Sequence, residues 1–121
     1  MLVKMLDKAK QTIEKNPVAL ATVNNKGKPN VIAVSSCKVV SKNQILITDN
    51  FMKTTKENIL ENGKACLAVW NKKGNGFKIE GKAKYFTKGK WKKTVEKMPE
   101  NKGLSAKGAI LLTASKISKL C

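Results

Sequence analysis

Residues 77–86 read FKIEGKAKYF, with Phe77, Ile79, Gly81, Ala83 and Tyr85 alternating against Lys78, Glu80, Lys82, Lys84 and Phe86. A repeat of two sustained over ten residues belongs to a β-strand with one buried and one wet face. The glycine in its middle requires either strong bending or close approach by another backbone. A strand this long that bends demands a curved sheet, and the rest of the chain has to complete it.

Further short apolar runs supply that sheet. Val18 to Asn24 is followed by Asn25-Lys26-Gly27, the residues of a tight hairpin turn, and then by a long strand from Asn30 to Val40. Ser35-Ser36 interrupt that strand and mark either a bulge or a place where something polar lies against the sheet. Ile45 to Thr48, Lys64 to Trp70 and Ala109 to Ala114 complete six predicted strands. Leu2, Leu6, Ala9 and Ile13 form the stripe of a helix ended by Pro17. A second helix follows residue 53, and Trp91, Val95 and Met98 have helical spacing before Pro99, which opens a stretch to Lys107 expected to be flexible. Sequential strands with short connections predict a mainly β fold with short helices, a six-stranded antiparallel barrel that closes on itself. Runs 65–70 and 109–114 are apolar throughout, so more than one face needs covering, which predicts a homodimer.

Composition bounds the setting. The 121 residues suit a single domain, 1–121, and no apolar run approaches the ~20 residues of a membrane span. The lysine-bearing N-terminus does not read as a signal peptide, so a soluble, cytoplasmic protein is expected. Cys37, Cys66 and Cys121 are widely spaced and histidine is absent, which argues against a disulfide framework and a metal site; Cys37 and Cys66 are expected to be small buried hydrophobes. The net charge of +17 favours polyanions, making a basic nucleic-acid-binding or interaction module the alternative function. Every basic residue is a lysine, however, and the bidentate forks used to read bases are missing. Specific nucleic-acid recognition is therefore not expected.

The chemistry concentrates between Gln44 and Ala65. An apolar strand stops at Asp49-Asn50, and Lys53-Thr54-Thr55 opens a helix that closes at Asn62-Gly63. Thr54 and Glu57 have the spacing of a capping box, and Gly63 suits the left-handed residue after a helix end. A lysine and two hydroxyls beside the unpaired amides of a helix start are equipment for holding a phosphate; a plain cap with a solvated lysine is the alternative.

The segments VALATVNNKGKPNVIAVSS, ILITDNFMKTTKENILENGKACLAV and GFKIEGKAKYF together resemble the FMN-binding split-barrel family, which includes pyridoxamine phosphate oxidase and the small bacterial FMN-binding proteins. The similarity spans roughly residues 16–114. It implies that Lys53 and Thr54 hold the flavin phosphate, with the ring and ribityl chain against Ala33, Val34, Ser35 and Ser36, then Thr48, Asp49, Asn50 and Met52. It also implies a dimer in which the partner completes the site. Trp70, Trp91 and the tail near Cys121 are candidates for that contribution, with plain packing as the alternative for both tryptophans.

The chain departs from the oxidases in lacking the arginines and histidine that recognise their substrate, and from haem-handling relatives in lacking histidine ligands. What the resemblance leaves is an FMN site, with a deazaflavin (F420) as the nearest substitute and a nicotinamide or redox protein as electron donor. Flavins carry the redox chemistry themselves, so no catalytic side chain is required; Asp49 and Glu80 are expected to be solvated or ion-paired.

Overall fold

The computed structural model describes residues 2–98 and 103–120, without the side chains of Leu2, Val3 and Met5. The predicted Pro99–Lys107 stretch lies partly, and Cys121 wholly, outside these residues. The elements run α1 (Leu2–Lys15), β1 (Val18–Val23), β2 (Pro29–Val34), β3 (Cys37–Ser41), β4 (Gln44–Asp49), α2 (Thr54–Asn62), β5 (Lys64–Trp70), β6 (Gly76–Phe86), α3 (Lys90–Glu96) and β7 (Gly108–Lys119).

The strands form one antiparallel sheet of seven, in the order β2-β1-β5-β6-β7-β4-β3. Two expectations are thereby corrected. The predicted strand 30–40 is two strands, broken at Ser35-Ser36, which raises the count from six to seven. The sheet is also not closed: β2 and β3 are its opposite edges, spanned by the chain itself rather than by a ladder. Because only two residues separate them, the sheet must curl until its edges meet. Ser36, between them, continues the β3–β4 pairing by one step, its carbonyl accepting from the Thr48 amide at 3.2 Å.

Gly81 sits where this curvature is set. The β6–β7 register shifts between Glu80 and Gly81, and a Cβ at residue 81 would fall 2.1 Å from the Thr113 carbonyl oxygen. The bend and the close approach read from the sequence are therefore one feature.

The concave face buries Leu20, Ile45, Ile47, Leu67, Val69, Ile79, Ile110 and Leu112, joined by Leu6, Ala9 and Ile13 of α1. Glu14 of α1 accepts the Val39 amide at 2.9 Å, occupying an N–H on edge strand β3. A second cluster, Leu46, Val95, Met98, Ala109 and Leu111, lies on the other side of β4 and β7. The doubly apolar character of 109–114 is thus satisfied within the chain by α3. That of 65–70 is not: Ala65, Leu67 and Val69 are buried, but Cys66 and Ala68 are half-buried and Trp70 is 48% exposed. Cys66 accordingly departs from the buried hydrophobe expected, whereas Cys37 conforms to it. No helix among the described residues is long and apolar enough to cross a membrane.

Candidate functional site

A cleft of about 470 Å³ opens between β2, the end of β4 and the start of α2. Its volume lies in the range of small-molecule sites. Ala33, Val34, Ser35, Ser36, Thr48, Asn50, Met52, Lys53 and Thr54 all line it, so the fold brings together every residue assigned to the site from the sequence except Asp49. The edge-to-edge crossing at Ser35-Ser36 makes this possible by carrying residues 33–36 against the strand that ends at residue 49. Ser36 and Thr48 are both buried, their hydroxyls 3.3 Å apart.

Asp49 has a different task. It is fully buried and, among the described residues, not ion-paired, unlike the solvated or ion-paired role expected; its carboxylate accepts the Met52 amide at 2.7 Å and the Tyr85 hydroxyl. A carboxylate this deep requires hydrogen-bonded compensation, and these two donors supply it. Burial, and then the Asp49 carboxylate, hold the Tyr85 phenol well above its ordinary pKa, so it remains a donor. The loop is tied down from outside as well. Lys107 donates from its amide to the Asp49 carbonyl and from Nζ to the Met52 carbonyl, both at 2.7 Å.

The start of α2 differs from the expected capping box. Lys53 is the N-cap and, among the described residues, no side chain caps the helix; Thr54 is its first residue rather than its cap, so the helix begins one position earlier than the sequence spacing predicts. Glu57 remains the acidic residue of the first turn, and its amide closes that turn on the Lys53 carbonyl at 3.0 Å. Among the described residues no side chain is hydrogen-bonded to the first-turn amides, which open beside Lys53, an arrangement suited to an anion. Gly63 closes the helix in the left-handed conformation, φ +71°, as read from the sequence.

Four further contributions were not legible beforehand. Asn30 and Ile32 line the cleft from β2 in alternation with Val34, and Asn30 Nδ2 donates to the buried Thr55 hydroxyl at 3.2 Å. The repeat of two running back from Val34 could have located both. Phe51, 81% exposed, and Leu104 add apolar surface at the rim. Leu104 is distant in sequence and no local pattern marks it. Asn50 Oδ1 is buried and has no hydrogen-bond partner among the described residues.

These features fit a flavin mononucleotide: a cation and helix amides for a phosphate, apolar walls from Ile32, Val34 and Met52 for a ring, and an amide oxygen short of a donor. Of the tryptophans, Trp91 packs against the cluster under α3, whereas Trp70 stands at the exposed end of β5.

The sequence pattern of pyridoxamine 5'-phosphate oxidase matches residues 5–121. An uncharacterized protein of Methanocaldococcus jannaschii is 34% identical over 123 residues, covering 98% of this chain and 83% of its own. Among solved structures, HupZ of Group A Streptococcus superposes with a TM-score of 0.86 at 24% identity, over 93% of this chain and 97% of that one. An FMN-binding protein from Syntrophomonas wolfei gives 0.83 at 19%, over 100% and 89%. An F420 reductase gives 0.68 at 16%, over 90% and 94%. At these identities the three structures speak to the fold alone. The match across nearly the whole sequence and the relative above 30% identity establish that the chain belongs to the pyridoxamine 5'-phosphate oxidase family.

Proposed function

We infer that this chain is an FMN-binding flavoprotein serving as an oxidoreductase or electron carrier. The phosphate rests on Lys53 and the first amides of α2, and the ring lies along residues 33–36 and 48–52. The observation that carries this reading is the convergence, in one cleft, of an uncapped helix start, its lysine and the apolar strand residues beside it. The bound flavin supplies the hydride or single-electron chemistry. The chain's own residues position it: Lys53 and Thr54 fix the phosphate end, while the pinned 49–52 loop and the Ser35-Ser36 crossing hold the walls apart. Without arginine or histidine, recognition of pyridoxamine phosphate in the manner of the oxidases is not part of the proposal.

A second copy of the chain is the proposed cover for the open side. The outer faces of β2, β1 and β5 align Ala33, Ala19 and Ala68 in one row and Val31, Ala21 and Cys66 in the next. Val31 is 65% exposed, and Ala33 belongs both to this apolar face and to the cleft wall. Packing two such faces about a two-fold axis would bury them and shield the ring.

Fluorescence titration tests the cofactor assignment. FMN should bind more tightly than riboflavin, because only FMN carries the phosphate; equal affinity would contradict the Lys53 assignment. A deazaflavin, suggested by the F420 reductase neighbour, is the competing ligand, and tighter binding of it would reassign the cofactor. Anaerobic addition of reduced nicotinamide should bleach a flavin band expected near about 450 nm; an unchanged band under NADH and NADPH would leave a redox protein as the donor.

A further inference from the structure

The Asn50 carbonyl oxygen is the feature of the cleft that a phosphate leaves unexplained. An acceptor buried without a donor is unfavourable by about 1–3 kcal/mol, and a mobile side chain would turn to escape it. Asn50 stands in a loop fastened on both sides. Asp49 before it is held by Tyr85 and the Met52 amide, and Met52 after it by Lys107. Asn50 lines the cleft, yet its Oδ1 is buried without a partner among the described residues.

A ligand in the cleft is placed to supply the donor it lacks, because Asn50 is one of the lining residues. An asparagine amide carries an acceptor and donors side by side in one plane. That edge is complementary to an imide, in which an N–H is flanked by carbonyl oxygens. The isoalloxazine has one such edge, at N3, and its ribityl hydroxyls offer no matching planar pair.

We propose that Asn50 is the specificity residue for the ring, its amide pairing with the flavin imide through Oδ1 and N3–H. This rests on the FMN reading above and adds which atom of the ring is recognised. It assigns the two ends of the ligand to separate groups, Lys53 reading the phosphate and Asn50 reading the imide.

The test compares FMN with N3-methyl-FMN on wild type and on Asn50→Ala, by fluorescence titration. Wild type should bind the methylated flavin about tenfold more weakly, having lost the donor and gained a clash. Asn50→Ala should bind FMN more weakly than wild type does and should barely distinguish the two flavins. An equal preference for FMN in both proteins would overturn the proposal. Should the variant fail to fold, wild type bound to FMN labelled with nitrogen-15 at N3 decides the matter. A slowly exchanging imide proton with a through-bond coupling to the protein supports the pairing, and a freely exchanging one refutes it. If wild type bound neither flavin, the FMN reading itself would fall, an outcome distinct from loss of discrimination.

Discussion

Lys53 and Asp49 lie four positions apart, and the sequence treats them alike as polar residues near a helix start. Their surroundings separate them. Lys53 is exposed at the cleft, whereas Asp49 is sealed beneath it and bonded to Tyr85 and Met52. Lys53→Ala should therefore remove a charge-assisted contact of about 1.5–3 kcal/mol, weakening FMN binding roughly 10- to 100-fold while leaving thermal stability unchanged. Tyr85→Phe should do the reverse first: a buried carboxylate loses a donor, and urea unfolding should report about 1–3 kcal/mol less stability. A Tyr85→Phe protein as stable as wild type would show that Asp49 does not need this bond. The role of Asp49 was illegible because its partner lies 36 residues away on a strand whose pairing only the fold reveals.

Cys37 supplies a pH prediction at the same scale. Burial pushes its thiol from 9.0 to about 12, so the folded state keeps a proton that the unfolded state releases. The associated stability is fully present below pH 9 and drains away as pH rises toward 12, with a slope approaching about 1.4 kcal/mol per pH unit. Between pH 8 and 10, wild type should lose more stability than Cys37→Ala in parallel urea melts; parallel loss would contradict this assignment.

Among the elements, those whose signal is local were legible. The period of β6, the stripe of α1, the turn before β2 and the glycine closing α2 all follow from neighbouring residues. The interruption at Ser35-Ser36 was visible, but its meaning was not, because a bulge and a crossing between sheet edges look alike until β2 and β3 are known to end on opposite sides. The capping box failed for a related reason: the spacing of Thr54 and Glu57 was correct, but the chain enters the helix one residue earlier. Gly81 is the element-scale control. Gly81→Ala puts a methyl carbon against the Thr113 carbonyl, where backbone rather than a flexible side chain must yield. A loss of about 1–3 kcal/mol or more is expected in a thermal or urea melt; a neutral result would mean that β6 and β7 separate there at little cost.

At the scale of the whole molecule, the apolar content of 65–70 and 109–114 looked equivalent in sequence. The fold divides them, since α3 covers one and leaves the other facing outward with Ala19, Ala21, Val31 and Ala33. Ala21→Glu places a charge in the middle of that face, at a half-buried position where the monomer can tolerate it. Light scattering should show a wild-type dimer and a monomeric variant with weakened FMN affinity; a wild-type monomer at micromolar concentration would remove the dimer from the account.

One cleft is proposed to hold the phosphate at the start of α2 and the ring between the crossing and the 49–52 loop. A crystal structure grown with saturating FMN tests it most directly. Phosphate oxygens should lie within hydrogen-bonding reach of Lys53 Nζ and the first amides of α2, with the ring against residues 33–36. Flavin bound at another surface, or this cleft filled by Phe51 and Leu104 at saturating ligand, would contradict it.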